Sequence, residues 1–454
     1  MIEVLPVETA TLGDRSYLAH DGDVAVVIDP QRDIDRLLAL AADKDVRITH
    51  VAETHVHNDY VSGGLALARA TGASYLLNAA DPVGFHRTPV GDGDDVDIGA
   101  QLRLRVVATP GHTFTHLTYV LEAAGQVAGV FTGGSLLYGS TGRTDLLGPK
   151  NVLPLAHAQY ASAHRLAREL PEPAEIFPTH GFGSFCAVTP AQGRRSTIGR
   201  EKQVNPVLAL AEEAYVEALI ASLDAYPAYY AYMHAANTAG PADADLSAPC
   251  PADAAQLRRR IRSGEWVVDL RDRAAFAAGF VPGAYSFPLS GSFATYLGWM
   301  IPWNKPVTLL GATAEQVAEA QRELLRIGID RPAGAATGTP EDWTGGRPLQ
   351  SLRLAAFADL AAAARGVKGR PAVLDVRRRL EWRQSHIVGA VHIPLHELPG
   401  RCGEIPSGEV WVHCGSGYRS AVAASMLMAR GRSVVSIDDD FGNATAAGLP
   451  VARS

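Results

Sequence analysis

Short apolar runs, each followed by a polar loop, recur along the first half of the chain. Such runs predict buried strands whose ends carry the polar residues to one edge of a sheet. The predicted strands cover residues 16–19, 24–29, 48–52, 102–108, 127–131 and 175–177, and a helix is predicted over residues 34–42.

The second half of the chain repeats one pattern of apolar and polar positions. Asp269 and Gly283 align with Asp375 and Gly389 at the same offset of 106 residues, and the alignment needs no gap. Each copy alternates short apolar strands with alanine-rich helical segments, which predicts a parallel sheet flanked by helices. The repeat therefore indicates two tandem copies of one α/β domain.

Length and composition divide the chain further. A chain of 454 residues is too long for one hydrophobic core. Stretches rich in Pro, Gly, Ala and Thr at residues 239–251 and 337–352 interrupt the periodic pattern and predict linkers. We therefore expect three domains, at residues 1–240, 251–345 and 350–454, and refer to the last two as the first copy and the second copy.

Charge and cysteine content argue against several classes of protein. The net charge of −7 is spread along the chain without a basic stripe, so neither nucleic acid nor an anionic membrane is an expected partner. No apolar run reaches the length of a membrane span, and the N-terminus lacks the pattern of a secretory signal, so we expect a cytoplasmic protein. The four cysteines are scattered, which favours free thiols.

The strongest chemical signal is a cysteine loop, residues 414–419, near the C-terminus. It follows a predicted strand at 410–412 and precedes a helical run at 421–429. Glycines let the backbone N–H groups of such a loop turn inward, and these groups, the helix N-terminus and an arginine favour a thiolate. We predict Cys414 and Arg419 as catalytic residues and Gly415, Ser416, Gly417 and Tyr418 as the substrate-binding loop.

The first copy lacks this chemistry. Gly311 stands where the second copy has Cys414, and Gln316 stands where it has Arg419. We interpret the first copy as a structural or docking module, and a binding site without a nucleophile is the alternative.

The second copy resembles a rhodanese domain, the sulfurtransferase module. The motifs that carry the resemblance are residues 374–377, 381–382 and 387–395, followed by the cysteine loop. In that family a six-residue loop such as this one goes with sulfur substrates. The resemblance implies that Cys414 takes sulfane sulfur from thiosulfate or a persulfide and passes it to a thiol or cyanide, without a cofactor.

The N-terminal block carries histidines and small polar residues at four predicted strand ends, in the runs 54–60, 110–113, 131–135 and 178–181. Strand-exit loops at one edge of a sheet converge, and a His-x-His pair can supply two neighbouring metal ligands. These four runs in this order resemble the metallo-β-lactamase fold, which implies an αββα sandwich.

Within that superfamily the block is most similar to persulfide dioxygenases of the ETHE1 type, which are related to glyoxalase II. The supporting residues are 13–18, 142–145, 196–199, 201–202 and 205–206. The resemblance implies that this domain oxidises a small persulfide, such as glutathione persulfide, with O₂ to sulfite. Fusion to rhodanese domains is similar to bacterial sulfide-oxidation proteins.

The sequence departs from the family pattern at two positions. Tyr60 replaces the last histidine of the His-x-His-x-Asp-His motif, a residue that serves the second metal of dinuclear relatives. Carried over from the family, the iron ligands are His55, His112 and an aspartate at position 134, but the residue there is Gly134. The two-histidine, one-carboxylate triad cannot form as the family builds it.

Three outcomes stay open for this site. His57 could join His55 and His112 in a three-histidine site that favours zinc and hydrolysis. Asp59 could supply the missing carboxylate to iron, or the domain could hold no metal and serve as a scaffold. With His180 and Asp59 as second candidates, we expect one Fe or Zn ion, weakly held or absent.

Sulfane-sulfur transfer through Cys414 is the function that these patterns favour. The alternatives are an active persulfide dioxygenase–sulfurtransferase, a glyoxalase II-like metal-dependent hydrolase, and a carrier that holds a persulfide for a partner. The expected partners are small sulfur donors and thiols, and apolar surface in the first domain is compatible with a homodimer.

Overall fold

The apolar runs of the N-terminal block form strands in the computed structural model of the protein, which describes residues 2–188, 193–365 and 371–453. The strands of this block are β1 (Glu3–Thr9), β2 (Asp14–His20), β3 (Val24–Ile28), β4 (Arg47–Ala52), β5 (Ser74–Asn78), β6 (Thr88–Val90), β7 (Asp95–Asp97), β8 (Leu102–Ala108), β9 (Leu117–Ala123), β10 (Gln126–Gly133), β11 (Glu175–Pro178) and β12 (Ser196–Thr197). The helices are α1 (Asp35–Asp43), α2 (Gly64–Thr71), α3 (Val152–Glu169), α4 (Ile198–Val204), α5 (Pro206–Ala209), α6 (Glu212–Ser222) and α7 (Tyr230–Ala239), with a 3₁₀ helix at Pro149–Asn151.

These strands form two six-stranded sheets, ordered β1-β2-β3-β4-β5-β6 and β12-β11-β10-β9-β8-β7. Side chains alternate across each strand, so Tyr17 faces the second sheet and packs with Phe131, while Leu18 packs with Leu37 of α1. On the outer face of the second sheet, Val130 packs against α3. The layers run helix, sheet, sheet, helix, which is the predicted αββα sandwich.

The C-terminal half contains shorter strands. They are β13 (Trp266–Asp269), β14 (Tyr285–Ser286), β15 (Val307–Gly311), β16 (Gly334–Thr337), β17 (Arg353–Ala355), β18 (Ala372–Asp375), β19 (His386–Ile387), β20 (Val391–His392), β21 (Val410–His413), β22 (Val434–Ile437) and β23 (Val451–Ala452). The helices are α8 (Ala254–Arg262), α9 (Arg273–Ala278), α10 (Phe293–Met300), α11 (Ala314–Arg326), α12 (Pro340–Thr344), α13 (Phe357–Arg365), α14 (Arg379–Gln384), α15 (Leu398–Arg401), α16 (Tyr418–Met428) and α17 (Asn443–Ala446), with 3₁₀ helices at Leu395–Glu397 and Cys402–Glu404.

Each copy has its own parallel sheet. The first copy has the strand order β14-β13-β15-β16, and the second has β17-β22-β21-β18-β20, beside a separate antiparallel pair of β19 and β23. When the order of the second sheet is read from β20, its strands β20, β18, β21 and β22 correspond to β14, β13, β15 and β16 of the first sheet. The two copies therefore share a sheet topology as well as a sequence pattern.

The repeat extends to individual hydrogen bonds. Arg271 pairs with Asp269 and also donates to the carbonyl oxygen of Gly279 at 2.8 Å. Arg377 pairs with Asp375 and donates to the carbonyl oxygen of Ser385 at 2.7 Å. In both copies this arginine ties the end of a central strand, β13 or β18, to the end of the helix that follows it.

The chain forms two compact units. One holds Met1–Asp245 with Leu324–Gly328, and the other holds Leu246–Glu323 with Ile329–Ser454, so the two copies share a unit. None of the helices in the described part of the chain is long and apolar enough to cross a bilayer.

The sequence prediction differs from the structure at two helices. The helix after the cysteine loop begins at Tyr418, three residues before the predicted start, because Gly417 takes a left-handed conformation (φ 95°) and caps it. The second predicted linker contains α12. Its Thr and Pro residues are helix-start signals there: Thr339 caps the helix by accepting a hydrogen bond from the backbone N–H of Asp342, and Pro340 opens the first turn.

Candidate functional sites

A cluster of buried histidines lies where strands of the N-terminal sandwich end. His55 and His57 lie in the loop after β4, His112 follows β8, and His180 follows β11. Ligand atoms of His55, His112 and His180 lie within 4.8 Å of one another, and so do those of His57, Asp59 and His180. The predicted convergence of the strand-exit loops is present, and the protein has a His/Asp group capable of holding a metal.

The structure groups His55 and His112 with His180, which the sequence analysis had placed second to His57. The rings of His55 and His57 are adjacent, with centroids 4.1 Å apart. The Nε2 atom of His57, however, lies 2.9 Å from Tyr60 Oη and 3.1 Å from Glu53 Oε2. Asp29 Oδ1 lies 3.2 Å from the same nitrogen. His57 thus directs this nitrogen into an acidic pocket and away from the other histidines.

These contacts also determine the charge of His57. Burial alone would lower the pKa of its imidazole, but the negative charge of Asp29 and hydrogen bonds with Asp29 and Glu53 raise this pKa well above its usual range. The acids around Nε2 therefore favour the charged form of the His57 imidazole.

His180 is held by two acids. Its Nδ1 lies 2.9 Å from Asp14 Oδ1 and 3.2 Å from Asp59 Oδ2. Burial alone would lower the pKa of His180, but the charge of Asp59 and the hydrogen bond with Asp14 raise it to about 9. Burial and the positive charge of His180 lower the pKa of His112 to about 3, so His112 is neutral beside it.

Position 134 shows why the family's iron ligands cannot be restored by a small adjustment. A Cβ atom at Gly134 would lie 2.4 Å from Cδ2 and 2.6 Å from Cγ of His112. The imidazole ring therefore packs directly against the glycine backbone. Residues of this site fit a metal held by nitrogen donors, and they do not fit an iron triad with a carboxylate from position 134.

The cysteine loop in the second copy has the geometry that the sequence predicts. Cys414 follows β21 and is 2% exposed, and its Sγ accepts a hydrogen bond from the backbone N–H of Gly417 at 3.2 Å. Ser420 Oγ lies 3.7 Å from the same sulfur. The sulfur thus lies at the N-terminus of α16, where backbone N–H groups stabilise negative charge.

Arg419 is engaged by a carboxylate that the sequence analysis did not single out. Its Nη1 and Nη2 donate to Glu381 at 2.5 and 2.7 Å. Burial alone would raise the pKa of Glu381, but the hydrogen bonds and charge of Arg419 lower it to about 2. The pair uses two of the five guanidinium donors. Arg419 also runs beside the loop, because a Cβ at Gly415 would lie 3.1 Å from Nη2.

The first copy forms part of the surroundings of the cysteine loop. Arg273 of α9 forms an ion pair with Asp438 at 2.8 Å. Asp438 in turn lies against Gly417, because a Cβ atom added at Gly417 would be 2.1 Å from Oδ1 of Asp438. The rings of Tyr296 and Tyr418 lie 5.6 Å apart. At the position equivalent to Cys414, the register of β15 places Gly311, as predicted.

Gln316 forms hydrogen bonds at the loop of the first copy that corresponds to the cysteine loop. Its Oε1 accepts a hydrogen bond from the backbone N–H of Ala312 at 2.7 Å, and its Nε2 donates to the carbonyl oxygen of Leu270 at 3.0 Å. The first bond is to the loop's own backbone and the second ties the loop to the residue after β13, which fits a structural module.

The remaining cysteines are thiols, as predicted. Cys186 is buried, Cys402 is partly buried and Cys250 is exposed, and all are free, as is Cys414. Burial and the charge of Asp59 raise the pKa of the Cys186 thiol, which makes it a poor nucleophile.

Comparison with protein families assigns two of the domains. Residues 14–180 match the metallo-beta-lactamase superfamily, and residues 358–446 match the rhodanese-like domain. The chain therefore combines a metallo-beta-lactamase domain with a rhodanese-like domain. The rhodanese match covers the second copy, so a tandem pair of rhodanese domains stays a prediction that rests on the repeat and the shared sheet order.

Curated relatives match the N-terminal part. A hydroxyacylglutathione hydrolase of Polaromonas sp. is 32% identical over 161 residues, which cover 35% of this chain and 57% of that protein. The persulfide dioxygenase ETHE1 of Bos taurus is 29% identical over 219 residues, which cover 46% of this chain and 75% of that protein. The N-terminal domain is thus related to both enzymes.

A solved structure extends the similarity. The metallo-beta-lactamase structure from Staphylococcus aureus is 27% identical, with a TM-score of 0.66, and the match covers 74% of this chain and 98% of that one.

Sequence reasoning missed the acidic partners of both sites. Asp14 lies 166 residues from His180, and Glu381 lies 38 residues from Arg419. Both acids are in motifs that carry the family resemblance. The spacing within a motif, however, does not show which histidine or arginine from a distant segment contacts the acid.

Proposed function

We propose that the protein transfers sulfane sulfur through a persulfide on Cys414. The observation that carries the proposal is the hydrogen bond from the Gly417 N–H to the Cys414 sulfur at the start of α16. The thiolate is the nucleophilic form of cysteine, and this N–H group is a donor from which the sulfur accepts a hydrogen bond. The match of this region to the rhodanese-like domain supports the same chemistry.

The reaction has two displacement steps. In the first, the Cys414 thiolate attacks the outer sulfur of thiosulfate, an S–S bond forms to Cys414, and sulfite leaves with the electron pair of the broken S–S bond. In the second, a thiolate or cyanide attacks the terminal sulfur of the persulfide. A new persulfide or thiocyanate leaves, and the Cys414 thiolate is regenerated.

Arg419 and Glu381 have distinct parts in this proposal. Arg419 places positive charge beside the loop that receives an anionic donor, and Glu381 holds the guanidinium in position through two hydrogen bonds. The backbone N–H groups of the loop donate directed hydrogen bonds to the anion, which a positive charge alone does not provide.

The N-terminal domain, in this proposal, is not an efficient persulfide dioxygenase. The support is Gly134, which offers no carboxylate and whose backbone lies against the His112 ring. The relatedness to persulfide dioxygenase and to hydroxyacylglutathione hydrolase applies to the fold of this domain.

Thiosulfate:cyanide transfer by Cys414→Ser tests the proposal. We expect transfer to fall to background in this variant and to stay at the wild-type rate in Cys402→Ser, which removes a partly buried thiol of the same copy. Retention of most of the activity in Cys414→Ser would rule the proposal out.

For the N-terminal domain, we expect O₂ consumption by the wild-type protein with glutathione persulfide to stay at background.

A further inference from the structure

A row of aromatic rings joins α10 of the first copy to the cysteine loop of the second copy. Within α10, the rings of Tyr296 and Trp299 are stacked, with centroids 6.1 Å apart and an interplanar angle of 11°. At one end of the row, Trp299 stacks on His396 of the second copy at 4.7 Å. At the other end, Tyr296 lies 5.6 Å from Tyr418, the residue that opens α16. A helix of the first copy therefore lies beside the predicted substrate-binding loop.

Hydrogen bonds between the two copies hold this arrangement in place. Tyr418 Oη donates to the carbonyl oxygen of Pro288 at 3.4 Å. The backbone N–H of Ser286 donates to Ser425 Oγ of α16 at 3.0 Å, and this bond is buried. Both copies belong to one compact unit, so the position of α10 relative to the loop is a property of the folded unit.

The phenol group of Tyr296 lies among the charged groups of the second copy. Burial raises the pKa of Tyr296, and the positive charges of Arg419 and Arg378 oppose this rise. The charges of Glu381 and Cys414 act in the same direction as burial. Because a Coulomb interaction weakens with distance, a phenol that responds to these four groups faces the cysteine loop.

The Tyr296 hydroxyl is available to a ligand. The side chain is half-buried, and the hydroxyl forms no hydrogen bond within the described part of the chain. Its raised pKa keeps the phenol protonated at neutral pH, so the hydroxyl can donate one hydrogen bond. In contrast, the neighbouring Tyr418 hydroxyl already has Pro288 as its partner. A few such polar groups at the wall of a site determine how a ligand is oriented.

We propose that Tyr296 of the first copy belongs to the site at Cys414 and donates a hydrogen bond to the sulfonate oxygens of thiosulfate. This inference rests on the proposed sulfur transfer and names the favoured sulfur donor as an anion with oxygens on its leaving sulfur. Those oxygens gain negative charge as the S–S bond breaks and sulfite leaves with the electron pair. A hydrogen-bond donor already in position beside Arg419 stabilises that charge. The first copy thus contributes to selectivity for the sulfur donor, although it lacks a nucleophile.

Tyr296→Phe tests the inference, because it removes the hydroxyl and keeps the ring. Two sulfur donors are compared: thiosulfate, and the persulfide of 2-mercaptoethanol, which has no sulfonate and releases a thiolate. We expect kcat/KM for thiosulfate to fall roughly tenfold or more, the effect of losing one hydrogen bond to a charged group. The values of kcat/KM for the persulfide and for cyanide should stay at the wild-type level.

Tyr285→Phe is the matched control, with wild-type kinetics expected for both sulfur donors. Tyr285 is a half-buried tyrosine of β14 in the same copy, and its ring packs on Trp266 at 4.7 Å. Circular dichroism and thermal unfolding check that both variants fold as the wild type does.

Calorimetric titration with thiosulfate gives a second measurement that needs no turnover. It compares Cys414→Ser with the double variant Cys414→Ser/Tyr296→Phe, and we expect a several-fold higher Kd in the double variant. If the wild type transfers no sulfur but the affinity for thiosulfate depends on Tyr296, the proposed transfer is rejected and the anion-binding role of Tyr296 is supported. Unchanged affinity together with unchanged kcat/KM for thiosulfate would overturn the inference. Losses of equal size for both sulfur donors would also overturn it, since they would indicate a structural role.

Discussion

Arg419 donates hydrogen bonds from both terminal nitrogens to the two carboxylate oxygens of Glu381. The pair joins α14 to the start of α16, directly behind the cysteine loop. Because Nη2 of Arg419 also lies close to Gly415, the carboxylate controls where the guanidinium lies relative to the loop backbone. Glu381 is therefore a positioning residue for the arginine in the proposed sulfur transfer.

Glu381→Gln is expected to lower kcat/KM for thiosulfate roughly 10- to 100-fold, because a hydrogen bond to a charged group contributes about 1.5–3 kcal/mol. The amide keeps one acceptor oxygen but loses the second acceptor and the charge. Steady-state thiosulfate:cyanide kinetics measure the effect. Glu404→Gln breaks a more exposed pair with Arg401 and serves as the control, with wild-type kinetics expected. Equal kinetics for both variants would show that Glu381 does not position Arg419.

Gly417→Ala is expected to lower both thermal stability and sulfur transfer. Gly417 has a φ of 95°, which costs an L-residue about 1–2 kcal/mol, and its Cβ would meet Asp438. Gly431→Ala is the matched control, because its φ of 76° imposes similar strain while a Cβ there would meet no atom within 4 Å. Thermal unfolding and transfer assays should show a modest loss of Tm in Gly431→Ala and a larger loss, with at least tenfold slower transfer (about 1.4 kcal/mol), in Gly417→Ala. The same modest loss in both would mean that the contact with Asp438 is unimportant.

Arg273→Gln tests whether the first copy supports the cysteine loop. Without Arg273, the carboxylate of Asp438 stays beside Gly417 without its cation and repels an anionic donor. We expect KM for thiosulfate to rise about fivefold, which corresponds to about 1 kcal/mol. Arg260→Gln removes a comparable ion pair with Glu265 elsewhere in the first copy and should leave KM unchanged. An unchanged KM in Arg273→Gln would limit the first copy to a role in folding.

Gly134→Asp is expected to disrupt the histidine cluster rather than rebuild an iron site. The new Cβ would lie 2.4 Å from the His112 ring, so the ring must leave its position against Arg143. We predict weaker Co(II) binding and no gain of O₂ consumption with glutathione persulfide. Gly125→Asp introduces the same residue at a turn where a Cβ would meet no atom within 4 Å, and it should bind cobalt normally. Iron-dependent O₂ consumption by Gly134→Asp would contradict the account of this site.

Much of the fold follows from local patterns. The predicted strand at 102–108 has the bounds of β8, because Leu102, Leu104 and Val106 alternate with more exposed residues, which is the pattern of a strand with one buried face. The constant offset of the repeat predicted the shared topology of the two copies. The equivalence of Gly311 with Cys414 follows from the strands β15 and β21, because each of these residues comes directly after the partner of the repeated aspartate. The linker at 337–352 was partly wrong, since Thr339 and Pro340 are ambiguous between a loop and a helix start.

The chemistry of the sites was less predictable. The sequence drew attention to Cys414 and the histidines, because their spacing in a motif is a local property. It could not show that Glu53 and Asp29 approach Nε2 of His57 or that Asp14 holds His180. Such contacts are decided by packing between distant segments.

Intact-mass spectrometry of the full-length protein after brief exposure to thiosulfate shows whether Cys414 carries the transferred sulfur. We predict a gain of one sulfur atom, located on Cys414 by peptide mapping and removed by cyanide with release of thiocyanate. Cys402→Ser should gain the same mass, and Cys414→Ser should gain none. A sulfur adduct that persists in Cys414→Ser, or wild-type protein that produces thiocyanate without ever carrying sulfur on Cys414, would contradict the account.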